Sequence, residues 1–129
     1  MHSSQAPDVD VIQPSAVLWG AIVGRVLDFT RVTPIAFAAP GKGNGLVAWA
    51  RALAAYIAHC EFEIEQAEIS RLARLSEVTI RKGVEDVEDR REDPALEAAI
   101  EVMSDDVRRW WITPAELAAA NMRQHLAVM

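Results

Sequence analysis

Apolar positions recur at three- and four-residue intervals along almost the whole chain, and strand-type alternation is absent. That period predicts helices and no sheet. Pro14 can occupy a helix's first turn, and Val17, Leu18, Ala21, Ile22, Val26 and Phe29 then form one apolar stripe. Thr33-Pro34 reads as an N-cap followed by the first helical position. It opens a short turn to Ala38, with Ile35 and Phe37 placed on the core. Pro40-Gly41-Lys42-Gly43-Asn44-Gly45 is a loop dense in helix breakers. Leu46, Trp49, Ala50, Leu53, Tyr56, Ile57 and Cys60 mark a central helix that ends near Cys60. A shorter helix follows over Gln66 to Arg74, with Ile69 and Leu72 facing inward.

Ser76 is placed to cap the next helix, which runs to about Arg91. Its row Ile80, Val84 and Val87 is expected to be buried, which leaves Arg81 and Lys82 exposed. Asp93-Pro94 starts another helix, marked by Leu96, Ile100, Met103 and Val107. Thr113-Pro114-Ala115-Glu116 is a capping box that opens a last helix through about Leu126. The expected architecture is an all-α bundle of five to six helices. Residues 1–13, of which Met1 to Asp10 are polar and carry no Lys or Arg, are expected to form a disordered arm. Residues 14–129 are expected to form a single helical domain, with the helix-turn-helix at about 66–91.

Composition narrows the classes. The chain has 129 residues, half of them apolar and a quarter charged, as a single folded domain requires. The formal charge is 13 − 19 = −6, which argues against a protein that simply coats nucleic acid or anionic membrane. One cysteine, Cys60, allows no internal disulfide and supplies no zinc set. That usage, with no apolar run of membrane-spanning length, gives an expected cytoplasmic location and no membrane partner.

The feature that carries chemistry is the helix pair at about 66–91. Its joint, Leu75-Ser76, is short enough to force an angular crossing, the pattern of a helix-turn-helix. In that motif the second helix enters the major groove of DNA, and its first turns make the contacts. Val78, Thr79, Arg81 and Lys82 occupy those turns. Arginine can fork two hydrogen bonds to guanine, and threonine can reach phosphate or a thymine methyl. Arg71 and Arg74 sit on the first helix, where phosphate contact is expected. From Gln66 to Lys82 four basic residues face two acidic ones, a local positive balance in an acidic chain.

Several stretches carry a resemblance. Ala50-Arg51-Ala52-Leu53-Ala54-Ala55-Tyr56-Ile57, Glu68-Ile69-Ser70, and the run from Arg71 to Thr79 follow one another in order. Phe29 to Pro34 lies upstream, and Glu92-Asp93-Pro94-Ala95-Leu96 lies downstream. Together they resemble the C-terminal DNA-binding domain of the bacterial chromosomal replication initiator DnaA, over about residues 16–107. The resemblance implies a Trp-repressor-like helical fold and non-catalytic binding of duplex DNA in replication or transcription. It implies that Arg51 approaches backbone phosphate and that Thr79 is a contact position. Lys42 falls in the family's basic loop without an exact counterpart. The family's Asp-His-Thr-Thr-Val signature stands here as Ser76-Glu77-Val78-Thr79-Ile80, and the family's ATPase modules are absent from this sequence.

The expected DNA-binding set is therefore Lys42, Arg51, Arg71, Arg74, Val78, Thr79, Arg81 and Lys82. No catalytic residue, metal ligand or cofactor is expected. The Gly-rich loop lacks the spacing of a phosphate-binding loop, and His59 and Cys60 are adjacent, hence about 100° apart on a helix. Cys60 reads as core sulfur. A competing expectation is a protein-interaction module in which the helix pair has lost DNA. Trp110 and Trp111 are neighbours and cannot both face one core. They and the C-terminal helix are the expected contact for a homodimer or another protein.

Overall fold

Helix caps set the element boundaries. The computed structural model describes residues 14–111 and 122–123. It shows α1 (Pro14–Thr30), α2 (Pro34–Ala38), α3 (Gly45–Tyr56), α4 (Gln66–Ala73), α5 (Glu77–Arg90) and α6 (Pro94–Trp110). No strand occurs among the described residues. The Thr33 side chain accepts from the Ala36 amide, Asn44 from Val47, Ser76 from Thr79 and Asp93 from Ala95. Each satisfies one donor that a helix start leaves free. The expected arm at 1–13 and the capping box at Thr113 lie outside the described residues. Of the helix expected after that box, only Met122 and Arg123 are described, and both are helical.

α3 is the centre of the bundle. It packs against α1, α2 and α5, while α6 lies on α1 and α4 on α5. Val47, Ala50, Leu53, Ala54, Ala55 and Tyr56 are all buried, so α3 is covered on more than one face. Small residues allow close approach there. At Gly83 of α5 an added Cβ would lie 3.1 Å from both Cα and Cβ of Ala52 on α3. Ile80, Val84 and Val87 are buried on α5 and Arg81 and Lys82 are exposed, as their spacing predicts. Among the described residues no helix is long and apolar enough to cross a membrane.

Four positions depart from the expected core. Ile35 is 84% exposed, because α2 is a single five-residue turn and only Ala36 and Phe37 pack inward. Phe29 is half-exposed at the end of α1, where the buried row has already passed through Leu18, Trp19, Ile22 and Val26. Leu46 sits in the first turn of α3, beyond the cover of its neighbours, and is exposed. Cys60 is exposed because Ile57–Glu61 continue α3 as a π turn. The wider turn shifts the register, so a residue on the stripe by α-helical spacing rotates out of it. The ring of His59 closes this turn, its Nδ1 donating to the Ile64 carbonyl at 2.9 Å.

Candidate nucleic-acid interface

The turn between α4 and α5 is built by backbone geometry. Ala73 ends α4, and Arg74 takes the left-handed conformation at φ 59°. The Arg74 and Leu75 amides both donate to the Ser70 carbonyl, and the Ser70 hydroxyl donates to the Leu75 carbonyl. Ser76 then caps α5, its hydroxyl 2.8 Å from that of Thr79. The left-handed position at a helix end usually belongs to glycine, since a Cβ costs energy there. Here it carries an exposed arginine.

This turn borders a groove of about 560 Å³ between α3, α5 and the loop after α2. Lys42, Arg51, Arg74, Thr79 and Lys82 line it, over a floor that includes Ala48, Ala52, Ala55, Ile80 and Gly83. Asp86 is the one carboxylate among the lining residues. Lys42, Arg74 and Lys82 form no salt bridge among the described residues. Five of the eight residues expected to touch DNA therefore meet at one place.

The other three lie apart from it. Val78 and Arg81 are exposed on the outer face of α5, where the Arg81 Nε comes no closer than 4.0 Å to Glu85. Arg71 is exposed on α4 and pairs with Glu68. The Ser15 hydroxyl donates to the same carboxylate at 2.8 Å. Arg71 first, and then Ser15, hold the Glu68 carboxyl below its usual range.

Arg51 is buried where an exposed side chain is expected. The expected phosphate contact is an exposed side chain, but Arg51 is 9% exposed. Its Nε donates to the Phe37 carbonyl at 3.0 Å. Nη1 donates to Gly41 at 2.7 Å and Lys42 at 3.3 Å, and Nη2 to Ala39 at 2.7 Å and Ala36 at 3.5 Å. A guanidinium has five N–H donors, and backbone carbonyls occupy all five. The loop they belong to needs its glycines. Gly41 and Gly43 have φ of 90° and 68°, and a Cβ on Gly43 would meet Val47 Cγ1 at 2.8 Å.

Past the far end of α3 a second polar cluster forms. The Tyr56 hydroxyl donates to Glu88 at 2.9 Å and accepts from Arg91 at 2.7 Å. Arg91 also pairs with Glu61 and Glu97, and Arg108 pairs with Glu61. Burial pushes the Tyr56 phenol up to about 12, so it stays protonated and can donate. Burial would also raise the Glu61 carboxyl, but the hydrogen bonds from Arg108 and Arg91 outweigh it and hold the group below its usual range. The cluster ties α3, the π turn, the end of α5 and the start of α6 together. Among the described residues no group of three or more His, Cys, Asp or Glu is arranged to hold a metal ion.

A smaller groove of about 470 Å³ lies along the contact of α1 and α6, lined by Val17, Gly20, Ala21, Gly24, Val107 and Trp110 among others. Trp110 is 59% exposed beside it, and its ring centroid lies 6.2 Å from that of half-buried Trp111. Sequence spacing had not singled out Gly83, the π turn or the carbonyl cage of Arg51. No protein-family model, no curated protein and no solved structure matches this chain.

Proposed function

We propose that the protein binds duplex DNA without catalysis, using α4 and α5 as a helix-turn-helix of Trp-repressor-like type. One observation carries this reading: Lys42, Arg74 and Lys82 line a single groove at the start of α5, with one carboxylate, Asp86, in its lining and no salt bridge to any of the three among the described residues. In a chain of net charge −6, such a grouping favours a polyanion at that place. The first amides of α5 add to it, because a helix start attracts phosphate. Arg74 in a left-handed conformation supports the reading, since strained backbone persists where it serves a purpose. The outward face of α5, with Val78 and Arg81, then lies along the base edges, and Arg81 contributes about 1–3 kcal/mol of base discrimination. The resemblance to the DnaA reading domain points the same way.

Titration of duplex DNA at several salt concentrations tests this. Three groove cations on three phosphates imply a log-log slope of about −2.7. Lys82→Ala should lower that slope by about one unit for every sequence, whereas Arg81→Ala should flatten the ranking of selected duplexes. A flat salt response removes the proposal.

A second reading, a protein-interaction module, is favoured by exposed Trp110 at the α1–α6 groove. It expects self-association or partner binding that Trp110→Ala abolishes and that salt leaves unchanged.

A further inference from the structure

We infer that Arg51 is a positioning residue that fixes the loop carrying Lys42, and that it makes no phosphate contact of its own; the inference rests on the duplex-binding reading. Its five donors reach carbonyls on five residues between Ala36 and Lys42. Two of these carbonyls, on Ala36 and Phe37, belong to the closing turn of α2, where the Ala39 amide also donates to that of Ala36 at 3.4 Å. The other three, on Ala39, Gly41 and Lys42, belong to the loop. One planar side chain therefore ends α2 and gathers the loop behind it. Asn44 pins the other end, its side chain accepting from the Val47 amide at 2.9 Å.

The Lys42 carbonyl is itself a partner of Arg51. Its Cα, one bond away, is fixed relative to α3, so the Lys42 side chain leaves from a set point toward the groove shared with Arg74 and Lys82. A lysine at position 51 keeps the charge but has three donors on a single nitrogen. It cannot span carbonyls spread around a plane. The positioning role thus separates from the charge.

The test combines Arg51→Lys with Lys42→Ala in a double-mutant cycle, read by duplex titration and by amide hydrogen exchange of residues 39–44. Circular dichroism establishes that each variant is folded. Arg51→Lys should speed exchange in the loop and weaken duplex binding on the order of tenfold, as Lys42→Ala does. Lys42→Ala added to Arg51→Lys should cost nothing further. Gly43→Ala, which pushes the loop off Val47 while leaving Arg51 in place, should weaken binding in the same way. Wild-type affinity in Arg51→Lys, or losses that add in the double variant, would overturn the inference in favour of a direct charge contact. If the wild type binds no duplex, the duplex reading fails by itself. Loop exchange then decides the clamp, and unchanged exchange in Arg51→Lys overturns that too.

Discussion

Midway along α3 the Arg51 guanidinium sits among five backbone carbonyls, whereas beyond the end of the helix the Arg91 guanidinium sits among two carboxylates and a phenol. Both arginines tie the chain segments around α3 in place. They differ in what happens to the charge. Glu61 and Glu97 neutralise Arg91, and Arg108 joins the same network. Carbonyls are neutral dipoles, so they satisfy the donors of Arg51 and leave it without a salt bridge among the described residues. Arg51 lines the groove that Lys42, Arg74 and Lys82 share, and its field adds to theirs. Backbone carbonyls in place of carboxylates hold an arginine beside those cations. Carbonyls do not titrate, whereas the carboxylates around Arg91 do.

Removing each arginine sharpens the contrast. Arg51→Ala should be the most destabilising, by roughly 3 kcal/mol or more, since hydrogen bonds to a charged group are worth about 1.5–3 kcal/mol each and several carbonyls lose their partner together. Arg91→Ala should cost less, about 1–2 kcal/mol, because the Glu97 side chain is 42% exposed and solvent screens the pair. Urea denaturation at neutral pH measures both. Equal losses would mean that the two sites do not differ in the way their partners suggest.

The two ends were unequally legible in the sequence. The caps at Thr33, Ser76 and Asp93 could be read directly, because each polar side chain stands before a helix whose first donors need it. The row Ile80, Val84, Val87 followed from spacing, and with it the exposed side of α5. Arg51 could not be read. A charged residue in a periodic pattern is assigned to solvent, and its partners are carbonyls, which every residue possesses and no side chain announces. The resemblance implied a phosphate contact at the same place, where the side chain is buried and its five donors face carbonyls. Cys60 failed for another reason: the π turn breaks the 3.6-residue period, and no glycine or proline marks where it begins.

Acid should separate the two ends more finely. The Glu61 carboxyl is held below its usual range in the folded protein. Its stabilising contribution is therefore complete above the ordinary glutamate range and disappears as pH falls through the lowered value. Glu61→Gln should flatten that part of the acid dependence of stability, and Arg51→Lys should leave its shape unchanged. Denaturant midpoints followed from pH 7 downward supply the comparison. An acid profile indifferent to Glu61→Gln would show that the pairs with Arg91 and Arg108 do not stabilise the fold.

The smallest effect belongs to Arg74, at the edge of the positive groove. Its left-handed backbone, φ 59°, costs an L-residue about 1–2 kcal/mol, and glycine avoids that cost while losing some chain entropy on folding. Arg74→Gly should thus raise stability by about 0.5–1 kcal/mol. The same change removes one of the three groove cations that form no salt bridge among the described residues, so it should lower the salt slope of duplex binding by about one unit. Arg74→Ala provides the control: it keeps the strained backbone, should leave stability nearly unchanged, and should lower the slope equally. Opposite movement of stability and binding in Arg74→Gly would show that the turn gives up stability for a cation at the groove. If Arg74→Gly gains stability and keeps the full slope, Arg74 touches no phosphate, and the positive region reduces to Lys42 and Lys82 beside the buried charge of Arg51.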